Sequence, residues 1–282
     1  MPELPDVEGF RRVVSDHAVG ARVEGVQVAD EGVLRGVSGR VFRRRIVGAT
    51  LTEPHRHGKW LVVPLAGSGG AERPTGHPTE HRPDDPSVVF HFGMTGGLSW
   101  VPAERVGEEP PHRHDRVVLR TEGGELRFRD MRKLQGIRLA ESDHAVDVLL
   151  GGLGPDAATV TAAGFRQQVR PLRRQLKPAL MDQTVIAGLG NLLVDETMWR
   201  AGLRPDRPTA GLDDAALNRL HARMRTVVRH SMRHGRVPAN PSWLTGHRDP
   251  GQDQICPRCG TPLRRGRVGG RTTVWCPRCQ PG

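Results

Sequence analysis

The sequence contains no tyrosine, and only three of its 42 lysine and arginine residues are lysines. No apolar run approaches the about 18 residues that a membrane-spanning helix needs, which excludes a membrane protein. The first ten residues, MPELPDVEGF, carry acids where a secretion signal needs a basic and then an apolar stretch. We therefore expect a soluble protein of the cytoplasm and nucleoid.

Positive charge is concentrated at the C-terminal end of the chain. The formal net charge is +11, and residues 221–282 contain twelve arginines against two aspartates. A high-GC genome that replaces lysine by arginine would explain the ratio of the two, but not the excess over acids. A basic segment on a soluble chain indicates a nucleic-acid partner.

The two halves of the chain have different hydrophobic periods. Short β-branched or apolar runs in the first half predict strands over 23–28, 41–47, 60–64, 88–92, 117–119 and 126–128. A helical spacing over 7–19 precedes them, and residues 66–86, poor in apolar side chains, are expected to form a loop. Apolar periods in the second half predict helices over 162–169, 177–186, 191–201 and 213–230.

All four cysteines lie in the last 27 residues, as two Cys-x2-Cys pairs with sixteen residues between them: Cys256, Cys259, Cys276 and Cys279. Two such turns complete a tetrahedral site for one Zn²⁺, although two disulfides are the alternative in an oxidising compartment. Because four protein ligands leave no open position, such an ion is structural. It would hold the arginine-rich hairpin at 263–274.

A glycine turn, Ala-Gly-Leu-Gly, separates two predicted helices at residues 187–190, and Asn191 is expected to cap the second. Amides at such a helix N-terminus attract phosphate oxygens, so the helix pair could clamp a DNA backbone. An ordinary helical hairpin is the alternative that this pattern leaves open.

Three separated motifs, in order, resemble the formamidopyrimidine-DNA glycosylase and endonuclease VIII family: the start PELPDVE, the block LKPALMDQTVIAGLGNLLVDETMWRAGLRP and the terminal four-cysteine finger with GRTT. The resemblance spans the whole chain. It implies an α+β fold with an N-terminal β-sandwich behind an N-terminal helix, a helix–two-turn–helix domain and a zinc finger. The expected domains are residues 1–150, 151–235 and 236–282, the last including a linker.

The resemblance also implies a catalytic set at the N-terminus. Once Met1 is removed, the secondary amine of Pro2 would attack the deoxyribose C1′ and form a Schiff base. Glu3 would protonate the sugar ring oxygen and later shuttle protons during elimination. Asp6 stands where the family usually has Glu, and it would position Pro2 near the DNA. Glu8 is expected on the helix surface or in a cap.

Three residues match the family's phosphate contacts. Lys59 corresponds to a β-hairpin lysine beside the lesion, Asn191 to the helix–two-turn–helix contact and Arg271 to the finger tip. We count Lys59 and Arg271 with the catalytic residues, because they help rotate the nucleotide out of the stack.

A rotated nucleotide leaves a hole that wedge side chains fill. The resemblance makes Met94 the first wedge, with a buried core methionine as the alternative. In DMRKLQG, residues 130–136, Arg132 would pair with the orphaned base, and Leu134 stands where the family has an aromatic ring. The loop that often covers an oxidised purine has no match in residues 236–254.

Together these features predict a bifunctional DNA glycosylase and AP lyase that acts as a monomer on damaged double-stranded DNA. An endonuclease VIII-like enzyme for pyrimidines and AP sites is one alternative. A DNA-binding relative without catalysis is the other, although backbone binding alone requires neither Pro2 nor Glu3.

Overall fold

A computed structural model describes residues 1–67, 80–249 and 254–282. They divide into two compact units, one of residues 1–2 and 7–152 and the other of residues 3–6 and 153–282. Part of the predicted loop over 66–86 lies outside the described residues. None of the helices in the described ranges combines the length and apolarity needed to cross a bilayer.

The described part of the chain contains seven α-helices and eleven strands, joined by turns and loops. The α-helices are α1 Leu4–His17, α2 Gly39–Ile46, α3 Asp143–Leu150, α4 Ala162–Val169, α5 Leu176–Met181, α6 Asn191–Ala201 and α7 Asp214–Arg233. The strands are β1 Val23–Val28, β2 Thr50–Leu51, β3 His55–His57, β4 Trp60–Ala66, β5 Ser87–His91, β6 Gly97–Pro102, β7 Asp115–Thr121, β8 Gly124–Arg129, β9 Gly136–Ala140, β10 Arg264–Val268 and β11 Arg271–Trp275.

Two antiparallel sheets form the first unit. One has the strand order β1-β7-β8-β6, and the other has the order β2-β4-β5-β9 with β3 paired to β4. Apolar side chains of both sheets and of α1 share one buried core, in which the rings of Phe90, Phe92 and Phe128 contact one another. This arrangement confirms the predicted β-sandwich with an N-terminal helix.

The predicted strand over 41–47 is wrong, because helix α2 occupies this segment. The Ser38 side chain caps the helix by accepting a hydrogen bond from Val41 N–H. Phe42 and Ile46, four residues apart, are both fully buried. Apolar residues at a helical spacing behind a capping serine outweigh the strand propensity of the segment.

Glu8 is also not where it was expected. Glu8 is only 7% exposed, and its carboxylate makes ion pairs with Arg11, Arg12 and Arg56. Three guanidinium groups compensate the buried charge. Glu8 therefore fixes α1 to the β3 strand rather than lying on a solvated helix surface.

Helices α4 to α7 surround the core of the second unit, which includes Phe165, Leu193 and Met224. Helix α6 has the predicted bounds and ends at Gly202, whose φ of 71° is left-handed. Helix α5 ends at Met181, earlier than predicted, because the Asp182 carboxylate accepts hydrogen bonds from the N–H and the hydroxyl of Thr184. Strands β10 and β11 form the predicted hairpin.

Candidate active site and zinc centre

The carboxylate of Glu3 lies at the N-terminus of α6. Its two oxygens accept hydrogen bonds from Leu192 N–H at 2.8 Å and Leu193 N–H at 3.1 Å, and the residue is 1% exposed. The amides of a first helical turn have no partner within the helix, and the helix dipole favours an anion there. The position therefore stabilises negative charge on Glu3. Two of the amides that the sequence offered to phosphate are occupied by this side chain.

The glycine turn before α6 brings residues 3 and 4 close to the backbone. A Cβ on Gly190 would lie 2.3 Å from Glu3 Cδ, and one on Gly188 would lie 2.5 Å from Leu4 Cδ1. Leu4 N–H also donates a hydrogen bond to Gly188 O at 3.1 Å. Both glycines are thus required by this close approach.

Asp6 orients the backbone of Glu3. Glu3 N–H donates to Asp6 Oδ2 at 2.8 Å, and Asp6 N–H donates to Glu3 O at 3.0 Å. The bond from Glu3 N–H to the Asp6 carboxylate is one half of a capping box, and the shorter aspartate is long enough to make it, while the Glu3 side chain bonds to Leu192 and Leu193 instead. Burial raises the pKa of Asp6, while the Glu3 amide opposes that effect.

Asn191 does not cap α6, because Gly190 is the N-cap residue and makes no side-chain bond. The Asn191 amide instead donates to the backbone carbonyl of Thr272 at 3.1 Å. Thr272 directly follows Arg271, which is exposed at the start of β11. The second unit thus brings together the two residues that were predicted to bind phosphate from separate motifs.

Lys59 lies in the first unit, in the two-residue turn between β3 and β4, where His57 pairs with Trp60. Gly58 supplies the left-handed backbone of that turn, with a φ of 57°. The position agrees with the predicted hairpin lysine in location, and its role stays a prediction.

The predicted wedge residues lie in two loops of the first unit, 92–96 and 130–136, and we call the second the wedge loop. Arg132 N–H donates to Thr95 Oγ1 at 3.0 Å, and Arg132 Nη1 lies 3.1 Å from Met94 Sδ, so the loops are joined. Three apolar side chains are exposed here: Met94 at 37%, Met131 at 55% and Leu134 at 51%.

The four cysteine sulfurs lie within 4.8 Å of one another. The Sγ–Sγ distances are 3.8 Å for Cys256 and Cys279 and 3.5 Å for Cys259 and Cys276. Thiolates bound at ~2.3 Å to a tetrahedral Zn²⁺ would be about 3.8 Å apart, whereas a disulfide bond is about 2.05 Å long. The geometry fits zinc, and the cysteines are free of disulfides.

Three domain families match the chain in order. The Formamidopyrimidine-DNA glycosylase N-terminal domain matches residues 1–137, the Formamidopyrimidine-DNA glycosylase H2TH domain residues 152–240, and the zinc finger found in FPG and IleRS residues 254–282. The curated formamidopyrimidine-DNA glycosylases of Salinispora arenicola and Nocardia farcinica are each 32% identical over 100% of this chain, and 96% and 98% of their own lengths are covered. The chain belongs to the formamidopyrimidine-DNA glycosylase family.

Solved structures support this assignment. The formamidopyrimidine-DNA glycosylase of Lactococcus lactis, bound non-covalently to DNA that contains an AP site, is 25% identical with a TM-score of 0.82. A complex of the same enzyme with DNA containing N7-benzyl-Fapy-dG is also 25% identical, with a TM-score of 0.83. Each alignment covers the whole of both chains.

Family membership and the sulfur geometry agree on the metal. This formamidopyrimidine-DNA glycosylase family member holds one structural Zn²⁺ on its four cysteines. The ion supports hairpin β10–β11, and Gly269 at the hairpin tip packs on α5, because a Cβ there would lie 2.4 Å from Pro178. Zinc thereby fixes the strand that carries Arg271.

Sequence reasoning missed a buried ionic cluster in the second unit. Lys177 Nζ donates to Asp195 Oδ1 at 2.6 Å and to the Thr272 carbonyl at 3.1 Å, and Arg248 pairs with the other oxygen of Asp195. Lys177 is fully buried, and burial lowers its pKa while Asp195 opposes the shift. The sequence did offer a signal: Lys177 is one of only three lysines in an arginine-rich chain, and it lies in a predicted helix.

His91 was also missed. Burial, and then the nearby charge of Lys59, lower the pKa of His91 to about 4. The ring is therefore neutral at pH 7, and its Nδ1 accepts a hydrogen bond from Gly93 N–H at 3.1 Å. His91 thus orders the start of the loop that carries Met94. Its place three residues before Met94 could have identified it.

Proposed function

We propose that the chain is a bifunctional DNA glycosylase and AP lyase that excises oxidised or ring-opened bases from double-stranded DNA and then nicks the strand. The observation that carries this proposal is the Glu3 carboxylate, buried against the first amides of α6 and directly following Pro2 in the chain. A solely DNA-binding protein would have no use for a buried carboxylate beside an N-terminal amine.

The chemistry uses the amine of Pro2 after removal of Met1. Its nitrogen attacks C1′ of the damaged nucleotide, and the base departs with the electron pair of the bond that joined it to C1′ and takes up a proton from water. The proton lost by the amine passes to Glu3 and then to the ring oxygen O4′, so the sugar opens and a cationic Schiff base remains. Removal of a C2′ proton then expels the 3′ phosphate. Once O4′ has taken this proton, Glu3 is again a carboxylate, and its negative charge stabilises the cationic Schiff base.

The predicted contacts with DNA are part of the same proposal. Lys59, Asn191 and Arg271 bind phosphates, and Asp6 holds the Glu3 backbone. Met94, Arg132 and Leu134 enter the stack when the damaged nucleotide leaves it. Asn191 and Arg271 act together, since the Asn191 side-chain amide donates a hydrogen bond to the carbonyl of Thr272, the residue that follows Arg271. We propose that the protein acts as a monomer in the nucleoid.

Borohydride trapping tests the nucleophile. We expect the mature protein to form a covalent adduct with duplex DNA that contains an abasic site. Pro2→Gly should weaken trapping strongly, and an uncleaved N-terminal extension should do the same because it blocks the amine. Arg40→Ala, which removes an exposed charge from α2, is the matched control and should trap normally. If the extended protein traps as well as the native one, the attacking amine lies elsewhere, with Lys59 the next candidate.

One observation favours the second candidate function, an endonuclease VIII-like preference for pyrimidines and AP sites. Leu134, 51% exposed in the wedge loop, offers no ring to stack on a neighbouring base. A panel of duplexes with 8-oxoguanine, ring-opened guanine, oxidised pyrimidine and an abasic site separates the two. Ring-opened purine cleaved faster than oxidised pyrimidine supports the first function, and the reverse order supports the second.

A further inference from the structure

The wedge loop contains a backbone conformation that a side chain disfavours. Lys133 has a φ of 51° and is the one non-glycine residue with a positive φ in the described ranges. Residues with a Cβ rarely adopt this left-handed conformation, and it persists where surrounding contacts impose it. The contacts around Lys133 therefore determine the shape of the loop.

Those contacts come from residues 30–35 of the same unit. Lys133 Nζ donates to Asp30 Oδ2 at 2.8 Å, and the Lys133 carbonyl accepts a hydrogen bond from Arg35 Nη2 at 2.6 Å. The two residues thus hold the side chain and the backbone of Lys133 separately. The hydrogen bond from Lys133, and then that from Gly32 N–H, lower the pKa of Asp30, so the carboxylate stays ionised at neutral pH.

Both ends of the wedge loop are tied to the same segment. At the end, a Cβ on Gly136 would lie 2.0 Å from Val33 O, so the two backbones are in direct contact. At the start, Arg116 Nε donates to Asp130 O at 2.8 Å, and Arg116 Nη1 lies 3.4 Å from Asp30 Oδ2. Asp30 therefore contacts the middle of the loop directly and its first residue through Arg116.

We propose that Asp30, Arg35 and Lys133 form a brace that holds the wedge loop ready to enter the DNA stack, which makes them positioning residues for extrusion of the damaged nucleotide. The proposal rests on the function proposed above. A loop that is already ordered loses less conformational freedom when it binds than a flexible one. An abasic site needs less help to leave the stack than a paired base. The brace accordingly sets the preference between base-bearing lesions and abasic sites.

The sign of the Asp30→Asn effect separates this brace from simple electrostatics. Lys133→Ala removes a positive charge, so slower extrusion could reflect weaker attraction to DNA. Asp30→Asn removes a negative charge, and electrostatic attraction alone would then give tighter binding and equal or faster extrusion. The brace requires the opposite result, because the amine of Lys133 loses its ionic partner.

Extrusion is measured by stopped-flow fluorescence of 2-aminopurine placed beside a ring-opened guanine in a duplex. We expect Asp30→Asn and Lys133→Ala each to slow extrusion by about fivefold, as suits a partly exposed ion pair. The double variant should be no slower than Lys133→Ala alone, since the two residues act through one contact. Cleavage of abasic DNA should stay within about twofold of normal.

Two further variants separate the contribution of the Lys133 amine from that of its backbone conformation. Lys133→Gly adopts a φ of 51° without strain but lacks the amine, so it should be as slow as Lys133→Ala. Lys133→Arg keeps a cation for Asp30 and should restore most of the rate. Arg40→Ala, an exposed charge lost outside the wedge loop, is the control and should leave extrusion unchanged once DNA is saturating.

Normal extrusion by Asp30→Asn would overturn the brace, and so would equal slowing by Asp30→Asn and Arg40→Ala. Failure of the proposed function has a different signature. A protein that extrudes the nucleotide at the expected rates, but forms no borohydride adduct with abasic DNA, would keep the brace and contradict the AP lyase.

Discussion

Replacing Gly190 with alanine tests whether the Glu3 carboxylate must reach the first amides of α6. The new Cβ would lie 2.3 Å from Glu3 Cδ, 2.4 Å from Cγ and 2.6 Å from Oε1. The Glu3 side chain can relieve this overlap only by moving away from the N-terminus of α6. The φ of Gly190 is −126°, an angle that alanine adopts freely. Any effect therefore comes from Glu3 and its lost hydrogen bonds to Leu192 and Leu193, not from backbone strain.

The size of the effect follows from those two contacts. A hydrogen bond to a charged group contributes about 1.5–3 kcal/mol, and the helix dipole adds about 0.3–1 kcal/mol for an anion at its N-terminus. The displaced carboxylate regains water, which offsets part of this loss. We expect Gly190→Ala to lower the free energy of unfolding by about 2–4 kcal/mol. Because a positioned acid–base group contributes about 10²–10⁴-fold, cleavage should slow by about 100-fold or more.

Gly211→Ala is the matched control, because a Cβ at that position would have no atom within 4 Å. Urea unfolding followed by circular dichroism gives the stability of both variants, and single-turnover cleavage of a ring-opened guanine duplex gives the chemical rate. A Gly190→Ala protein that is as stable and as fast as Gly211→Ala would refute the role assigned to the Glu3 contact.

Three other predictions concern the metal, the histidine and the wedge. Cys256→Ser should release the zinc ion and abolish DNA binding while the first unit stays folded; retention of one zinc per chain by mass spectrometry would contradict this. The pKa of His91 is about 4 in the folded protein, so the free energy of unfolding should decrease as pH falls from about 6.5 towards 4. In this range His91 binds a proton in the unfolded chain but not in the folded one. His91→Gln should remove about 3 kcal/mol of this loss, measured by urea unfolding at pH 7 and 4, and an unchanged pH dependence would exclude His91 as its source. Leu134→Phe should raise excision of 8-oxoguanine opposite cytosine by about tenfold relative to cleavage of abasic DNA, and an unchanged ratio would show that stacking is not limiting.

Short-range sequence patterns predicted those elements whose conformation depends on their own residues. The cysteine spacing identifies the metal centre, and the period over 191–201 predicts α6 with both ends correct. The segment 41–47 shows the limit of this reasoning. Its valines and isoleucine favour a strand, but a capping serine outside the segment and burial of Phe42 and Ile46 on one side produce a helix.

Contacts between residues distant in the chain could not be predicted. The hydrogen bond from Leu192 to Glu3 joins residues 189 positions apart, and the pair Lys133 and Asp30 joins residues 103 apart. No period or spacing in the sequence links such residues. Asn191 was misjudged for the same reason, since its partner is a carbonyl in the zinc finger rather than the end of its own helix.

The Thr272 carbonyl has a consequence for how such proteins change in evolution. It accepts hydrogen bonds from Lys177, Asn191 and Arg248, which come from three separate segments. Every amino acid carries a backbone carbonyl, so mutation of residue 272 cannot delete this acceptor. Selection for the junction therefore acts on the three donors and on the glycines that shape the hairpin. Any loss of the junction must come from a change in one of these donors or in the path of the backbone.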